Sequence, residues 1–195
     1  MNFVASRIKE SIDVKKLILE DEKLQMKINQ AASKIIEAFV QGKKVLFCGN
    51  GGSAADAQHL AAELMGKLYL DREPLLAISL TTNTSSLTAI ANDISYDEVF
   101  YRQLKALGNK GDILLSLSTS GKSKSIIKAM QYAEESGIYN IALSGREGGD
   151  MKEHAALLIN VPSNITARIQ ESQILIGHII CEIVEKELFI KNSIY

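Results

Sequence analysis

Cysteine and proline each occur only twice in the 195 residues, and the formal net charge is −1. Two cysteines give no disulfide framework and no sign of an oxidising compartment. Cys48 ends one apolar run and Cys181 lies in another, so both are expected to be buried thiols. Near-zero charge removes the electrostatic case for binding nucleic acid or a membrane surface. No uncharged apolar stretch reaches the roughly 18 residues of a bilayer span, and Met1–Glu10 is amphipathic without the apolar centre of a signal peptide. The cytoplasm is the expected compartment. Both prolines, Pro74 and Pro162, border candidate strands, where a missing N–H does least harm.

What is present reads as an ordinary globular chain, 46% hydrophobic and 23% charged. Its length suits one domain with a substantial core. Val4, Ile8 and Ile12 recur every fourth residue, and Leu24, Ile28, Ile35 and Phe39 form a second stripe that ends near Gly42. Residues 1–42 are therefore expected to form a helical pair, a candidate subunit interface, ahead of an α/β core over 43–189. Short apolar runs follow at Val45–Cys48, Leu75–Leu80, Ile113–Leu117, Tyr139–Leu143 and Ala156–Val161. Strands buried on both faces look like this, and their alternation with helical patterns predicts a five-stranded parallel sheet flanked by helices. A long helix is expected over Thr166–Phe189, with a frayed tail beyond it.

Loops after parallel strands are where such sheets bind ligands. The first, Gly49-Asn50-Gly51-Gly52-Ser53, lets backbone approach a ligand closely at a helix start near Ala54, with Ser53 as the expected cap. It is neither a Walker loop nor a dinucleotide fingerprint. The second, Ser118-Thr119-Ser120-Gly121-Lys122-Ser123, places four hydroxyls at a helix start, a neutral cradle for a phosphate ester. Each also has a plain reading as a capped turn; two of them on adjacent strands favour ligand binding.

His59 and Glu63 stand one helical turn apart on one face. Such a pair can share a metal, relay a proton, or simply form an exposed i, i+4 contact. His178 lies among apolar residues of the last helix and is expected to be partly buried, whereas His154 reads as a surface residue.

The run Cys48–His59, the segment Leu87–Asp93, Ser118–Gly121, and Arg168-Ile169-Gln170-Glu171 with the downstream Gly177-His178 together resemble bacterial phosphoheptose isomerases of the sugar isomerase (SIS) family. The motifs fall in family order across nearly the whole chain. The resemblance implies a flavodoxin-like SIS domain assembled as a homotetramer, with active sites at subunit interfaces. It implies conversion of the sugar phosphate sedoheptulose 7-phosphate to D-glycero-D-manno-heptose 7-phosphate, which supplies lipopolysaccharide and related surface glycans. It places substrate on Asn50, Gly51, Gly52, Ser53, Glu63, Asn92, Asp93, Ser118, Thr119, Ser120, Ser123 and Gln170. It places zinc, one ion per subunit, on His59, Glu63, Gln170 and His178.

For this reaction Glu63 is the candidate base and His178 the candidate acid. A carboxylate bound to zinc is a poorer base, which leaves base, ligand or both open for Glu63. Gln170 and His178 are about 12 Å apart along a continuous helix. They meet one ion only if Gln170 sits before or in a distorted first turn, or if ligands come from different subunits. Three positions depart from the family pattern: Asn83 where aspartate is common, Lys122 where asparagine is usual, and Lys67 where arginine is common. The rival functions are a non-enzymatic SIS protein that binds the replication initiator, and an isomerase of another sugar phosphate. Joint retention of His59, Glu63, Gln170 and His178 argues against the first.

Overall fold

A computed structural model describes residues 2–190; the tail 191–195 lies outside the described residues. The element order is α1 (Phe3–Glu20), α2 (Glu22–Val40), β1 (Val45–Gly49), α3 (Gly52–Met65), β2 (Ala77–Ser79), α4 (Thr84–Asp93), α5 (Val99–Leu107), β3 (Ile113–Ser118), α6 (Lys124–Glu135), β4 (Tyr139–Ser144), β5 (Leu157–Asn160) and α7 (Thr166–Phe189). All strand pairs are parallel, in the order β2-β1-β3-β4-β5. In this doubly wound order the chain reverses its direction of winding between β1 and β3, and the carboxyl ends of those two strands form the natural crevice. Gly49 pairs with Leu117 there, so the glycine loop and the hydroxyl loop leave the sheet side by side.

The alternation of side chains along each strand feeds two cores. Val45, Phe47, Ile113, Leu115, Ile141 and Leu143 meet α2, α3 and α7 on one face. Leu46, Cys48, Leu114 and Ala142 meet α5 and α6 on the other. Both cysteines are buried, and burial pushes each thiol up to about 12. No helix among the described residues is long and apolar enough to cross a membrane.

The two edge strands are shorter than their apolar runs. Leu75 and Leu76 fall outside β2, and the Leu75 N–H is taken by the Leu64 carbonyl at the end of α3. The crossover from β2 to β3 carries two helices, and α4 among them buries no residue. The two N-terminal helices differ in use. The α2 stripe Leu24, Ile28 and Ile35 is buried in the first core. In α1 only Val14 and Ile18 are buried, whereas Val4, Ile8 and Ile12 face outward, together with Phe3 at 75% exposure. Such a stripe is more than the singly scattered apolar residues of an ordinary surface.

Candidate active site

The first loop starts α3 earlier than its sequence suggests. The helix begins at Gly52 with Gly51 as its N-cap, and no side chain caps it. Ser53 is therefore not the cap; it is the second helical residue, and it is buried. Its backbone N–H donates to the Asn50 carbonyl, closing the turn one residue earlier. Asn50 then joins the two loops. Its Nδ2 donates to the hydroxyls of Ser123 (2.7 Å) and Ser125 (3.1 Å), and its Oδ1 accepts from the Tyr96 hydroxyl (2.7 Å). Tyr96 follows α4 and so brings that helix's end, with the exposed Asn92 and Asp93, toward the same loop. Asn92 donates to Asp93 Oδ1 at 2.8 Å.

In the second loop the Ser118 hydroxyl accepts from the Gly121 N–H and the Ser120 hydroxyl from the Lys122 N–H. Beside it lies a cavity of about 260 Å³ lined by Thr119, Ser120, Lys122, Arg146, Asn164 and Thr166, among others. The cavity is thus hydroxyl-rich on one wall, and the exposed Lys122, Arg146 and Glu147 give its rim two cations and one carboxylate. Asn83 caps α4, its Oδ1 accepting from the Ser86 N–H at 3.0 Å. Asparagine and aspartate cap equally well, so this departure leaves the local fold intact.

Helices α3 and α7 run parallel and very close. Gly52 lies against the Gln170 amide, where a Cβ would stand 2.6 Å from Nε2; Gly177 lies against Leu60, where a Cβ would stand 2.5 Å from Cδ1. Absence of a side chain at Gly177 lets the helices approach next to His178. There His59 Nε2 and His178 Nε2 are 2.8 Å apart, with the rings edge to face, and Glu63 Oε1 is 3.1 Å from His59 Nε2. His178 is half-buried, as its apolar neighbours imply. Glu63 is more enclosed than His59, its side chain 17% exposed against 49%.

The ligand atoms of His59, Glu63 and His178 all lie within 4.8 Å of one another. Two imidazole nitrogens and a carboxylate oxygen are a donor set that fits zinc. Gln170 is not brought into this group. Helix α7 is continuous from Thr166, so Gln170 occupies its second turn, against Gly52, about 12 Å along the axis from His178. A distorted first turn is therefore not how this chain is built.

One residue of the site escaped the sequence reading. Asp56 lies at i−3 from His59 and i−7 from Glu63, on the same face of α3, and its Oδ2 is buried without a hydrogen-bond partner. Burial pushes its carboxyl up, against the pull of His59 and His178. The Asp-x-x-His spacing was the available signal. His154, expected on the surface, is half-buried beside β5, with Nδ1 3.2 Å from Glu134 Oε2 and Nε2 3.3 Å from Gln131.

The SIS domain family matches residues 11–145. Phosphoheptose isomerase of Clostridium acetobutylicum is 50% identical over 188 residues, covering 96% of each chain. The chain belongs to the phosphoheptose isomerase family of SIS-domain proteins. Phosphoheptose isomerase 2 of Campylobacter jejuni is 50% identical over 191 residues, 98% of this chain and 95% of that one. Among solved structures, the phosphoheptose isomerase of Neisseria gonorrhoeae superposes with a TM-score of 0.88 at 44% identity, covering 94% of this chain and 97% of that chain. That of Francisella tularensis gives 0.90 at 36% identity, covering 94% and 96%. The five-stranded parallel sheet with its flanking helices is thus the phosphoheptose isomerase fold.

Gly52→Ala tests the contact between the glycine loop and α7. The clash falls on the far end of the flexible Gln170 side chain, so the melting temperature is expected to stay within a few degrees. Turnover per unit KM for a phosphoheptose is expected to fall about tenfold, the scale of a small misplacement at a site. Steady-state kinetics beside a thermal melt check both halves.

Proposed function

We propose that the chain converts D-sedoheptulose 7-phosphate to D-glycero-D-manno-heptose 7-phosphate, the first step toward heptoses of lipopolysaccharide and related surface glycans. The observation that carries this reading is the convergence of Glu63, His59 and His178 on two helices, of which α7 starts at a hydroxyl-rich cavity and α3 at a loop that Asn50 ties to the same hydroxyl-rich turn. Family membership gives the reaction class, aldose–ketose isomerisation of a phosphoheptose. A protein that only binds the replication initiator has no use for an acid–base cluster.

In this reading the phosphate rests on Ser118, Thr119, Ser120 and Ser123, with Asn50, Gly51, Gly52 and Ser53 closing over it. Lys122 and Arg146 on the rim add attraction for the dianion, offset in part by Glu147 beside them. Asn92, Asp93 and Gln170 face the sugar hydroxyls. The Glu63 carboxylate takes a proton from C1 of the ketose. The electrons of that C–H bond form the C1–C2 double bond of an enediol. The same proton is returned to C2, while a proton passes from O1 to O2 with His178 as donor and acceptor. His59, Glu63 and His178 would hold a zinc ion, which when bound supplies Lewis-acid polarisation of the carbonyl oxygen and countercharge for the enediolate. The fourth ligand, Gln170, would then come from a second subunit, since within one chain it stays at Gly52. That arrangement places the active site at a subunit interface in a homotetramer. The outward stripe Val4, Ile8 and Ile12 offers the apolar surface such an assembly needs.

Incubation of the purified protein with sedoheptulose 7-phosphate is expected to give the aldoheptose phosphate by NMR. Glu63→Gln is expected to lower kcat about 10³-fold, the usual worth of a general base, in a protein of unchanged oligomeric mass. Full turnover in that variant would remove Glu63 from its role. Dialysis against a chelator is expected to lower activity, and zinc to restore it; indifference to both would refute the metal. Ile8→Asp combined with Ile12→Asp is expected to reduce the tetramer to smaller species in light scattering, with activity lost in parallel.

A further inference from the structure

Glu63 occupies the last turn of α3, which ends at Met65. Last turns fray, because their carbonyls have no partner within the helix. A catalytic carboxylate placed there needs its backbone held from outside. The holder is a buried guanidinium. Arg72 Nη2 donates to the Glu63 carbonyl at 2.9 Å, and Nη1 to the Leu64 carbonyl at 2.9 Å, with further bonds to the carbonyls of Glu73 (3.0 Å) and Gly66 (3.4 Å). The Arg72 Nε is 2.9 Å from Glu185 Oε1, and the two side chains are only 2% and 3% exposed.

Glu185 lies on α7 seven residues beyond His178, hence on nearly the same helix face. It also accepts the backbone N–H groups of Leu68 (3.3 Å), Tyr69 (3.0 Å) and Leu70 (3.2 Å), which fixes the segment that carries Arg72. Burial pushes its carboxyl up, but these N–H groups and the guanidinium outweigh it and hold the carboxyl below its ordinary value. The ionised carboxylate, the form that these partners favour, is the one that bridges the segment and the helix. One end of the pair grips the backbone of Glu63 and the other belongs to the helix of His178.

We propose that Arg72 and Glu185 are positioning residues for the isomerisation: the pair locks the end of α3 to α7 and so sets the spacing between Glu63 and His178. This rests on the reading of Glu63 and His178 as base and acid. A displacement of about 1 Å at a reacting group costs on the order of 10²-fold in rate, so a loosened lock shows first in kcat.

Arg72→Lys keeps the charge but loses the planar fork, and Glu185→Gln keeps the shape but loses the charge. Each is assayed with sedoheptulose 7-phosphate at a temperature where circular dichroism and oligomeric mass match the parent. Met151→Ala, in the core on the opposite sheet face, serves as a destabilised control. The expected result is a kcat ten- to hundredfold lower in both variants with KM within threefold, while Met151→Ala keeps its kcat despite a comparable fall in melting temperature. Retention of kcat within twofold by Arg72→Lys and Glu185→Gln, beside an inactive Glu63→Gln, would overturn the proposal and leave the base assignment standing. An active Glu63→Gln would instead remove the base, and the positioning role with it. If Glu185→Gln does not fold, Arg72→Lys decides on the same thresholds.

Discussion

The parallel contact of α3 and α7 is the constraint from which the site follows. Two helices that present His59, Glu63 and His178 to one another must lie closer than ordinary side chains permit. Gly177 provides that approach beside Leu60, and Gly52 provides it beside Gln170. Helix axes usually sit 8–10 Å apart depending on the residues at the contact; small residues move a pair toward the short end. The outcome is two imidazole nitrogens 2.8 Å apart and a carboxylate within hydrogen-bond reach. No loop carries any of the three. Helical placement makes the geometry stiff, which suits a reaction whose proton must leave one carbon and return to its neighbour by the same group.

The other half of the site comes from the sheet. Its strand order puts the loops after β1 and β3 next to each other, and Asn50 then ties them by bonding to Ser123 and Ser125. The first loop leads directly into α3, so the crevice between the two loops and the helix of His59 and Glu63 share one short connection. In the proposed reaction, a hydroxyl-rich wall with charge only on the exposed side chains Lys122, Arg146 and Glu147 around it would hold a dianion without sealing it into a tight ion pair. Neutral donors hold phosphate by direction, whereas rim cations act over distance and are weakened by salt.

Much of this was legible in the sequence, for a physical reason. Central strands of a parallel sheet are buried on both faces, so β1, β3 and β4 read as continuous apolar runs and their bounds fall within a residue of the expected ones. Edge strands depend on what their neighbours leave unpaired, and β2 shrank because α3 took the Leu75 N–H. The start of α3 was misplaced for a similar reason. A serine at a loop end looks like a cap, but close packing of Gly49 on Ser53, where a Cβ would stand 2.3 Å from the Ser53 carbonyl oxygen, draws that serine into the helix. His59, Glu63 and His178 were legible as residue types. Their convergence was not, since it depends on the offset between two helices more than a hundred residues apart. Arg72 left no sequence signal at all: it sits in an irregular segment, and only the fold reveals which carbonyls it meets.

The choice of a buried ion pair at that point is explained by the backbone around it. As a source of stability such a pair is poor, because desolvating two charges offsets most of their attraction, and an apolar pair of equal volume often does better. Here the apolar alternative fails on other grounds. The turn after α3 presents the N–H groups of Leu68, Tyr69 and Leu70 to one side and the carbonyls of Glu63 and Leu64 to the other. Hydrocarbon would leave the three N–H groups and the Glu63 carbonyl unpaired in a partly buried place, at about 1–3 kcal/mol each, with only the Leu64 carbonyl keeping a second partner in the Leu75 N–H. A carboxylate that accepts on one side and a guanidinium that donates on the other satisfy both sets at once, and their mutual bond closes the gap between the helices. A charged pair is what allows the chain to make a sharp, buried turn immediately after Glu63.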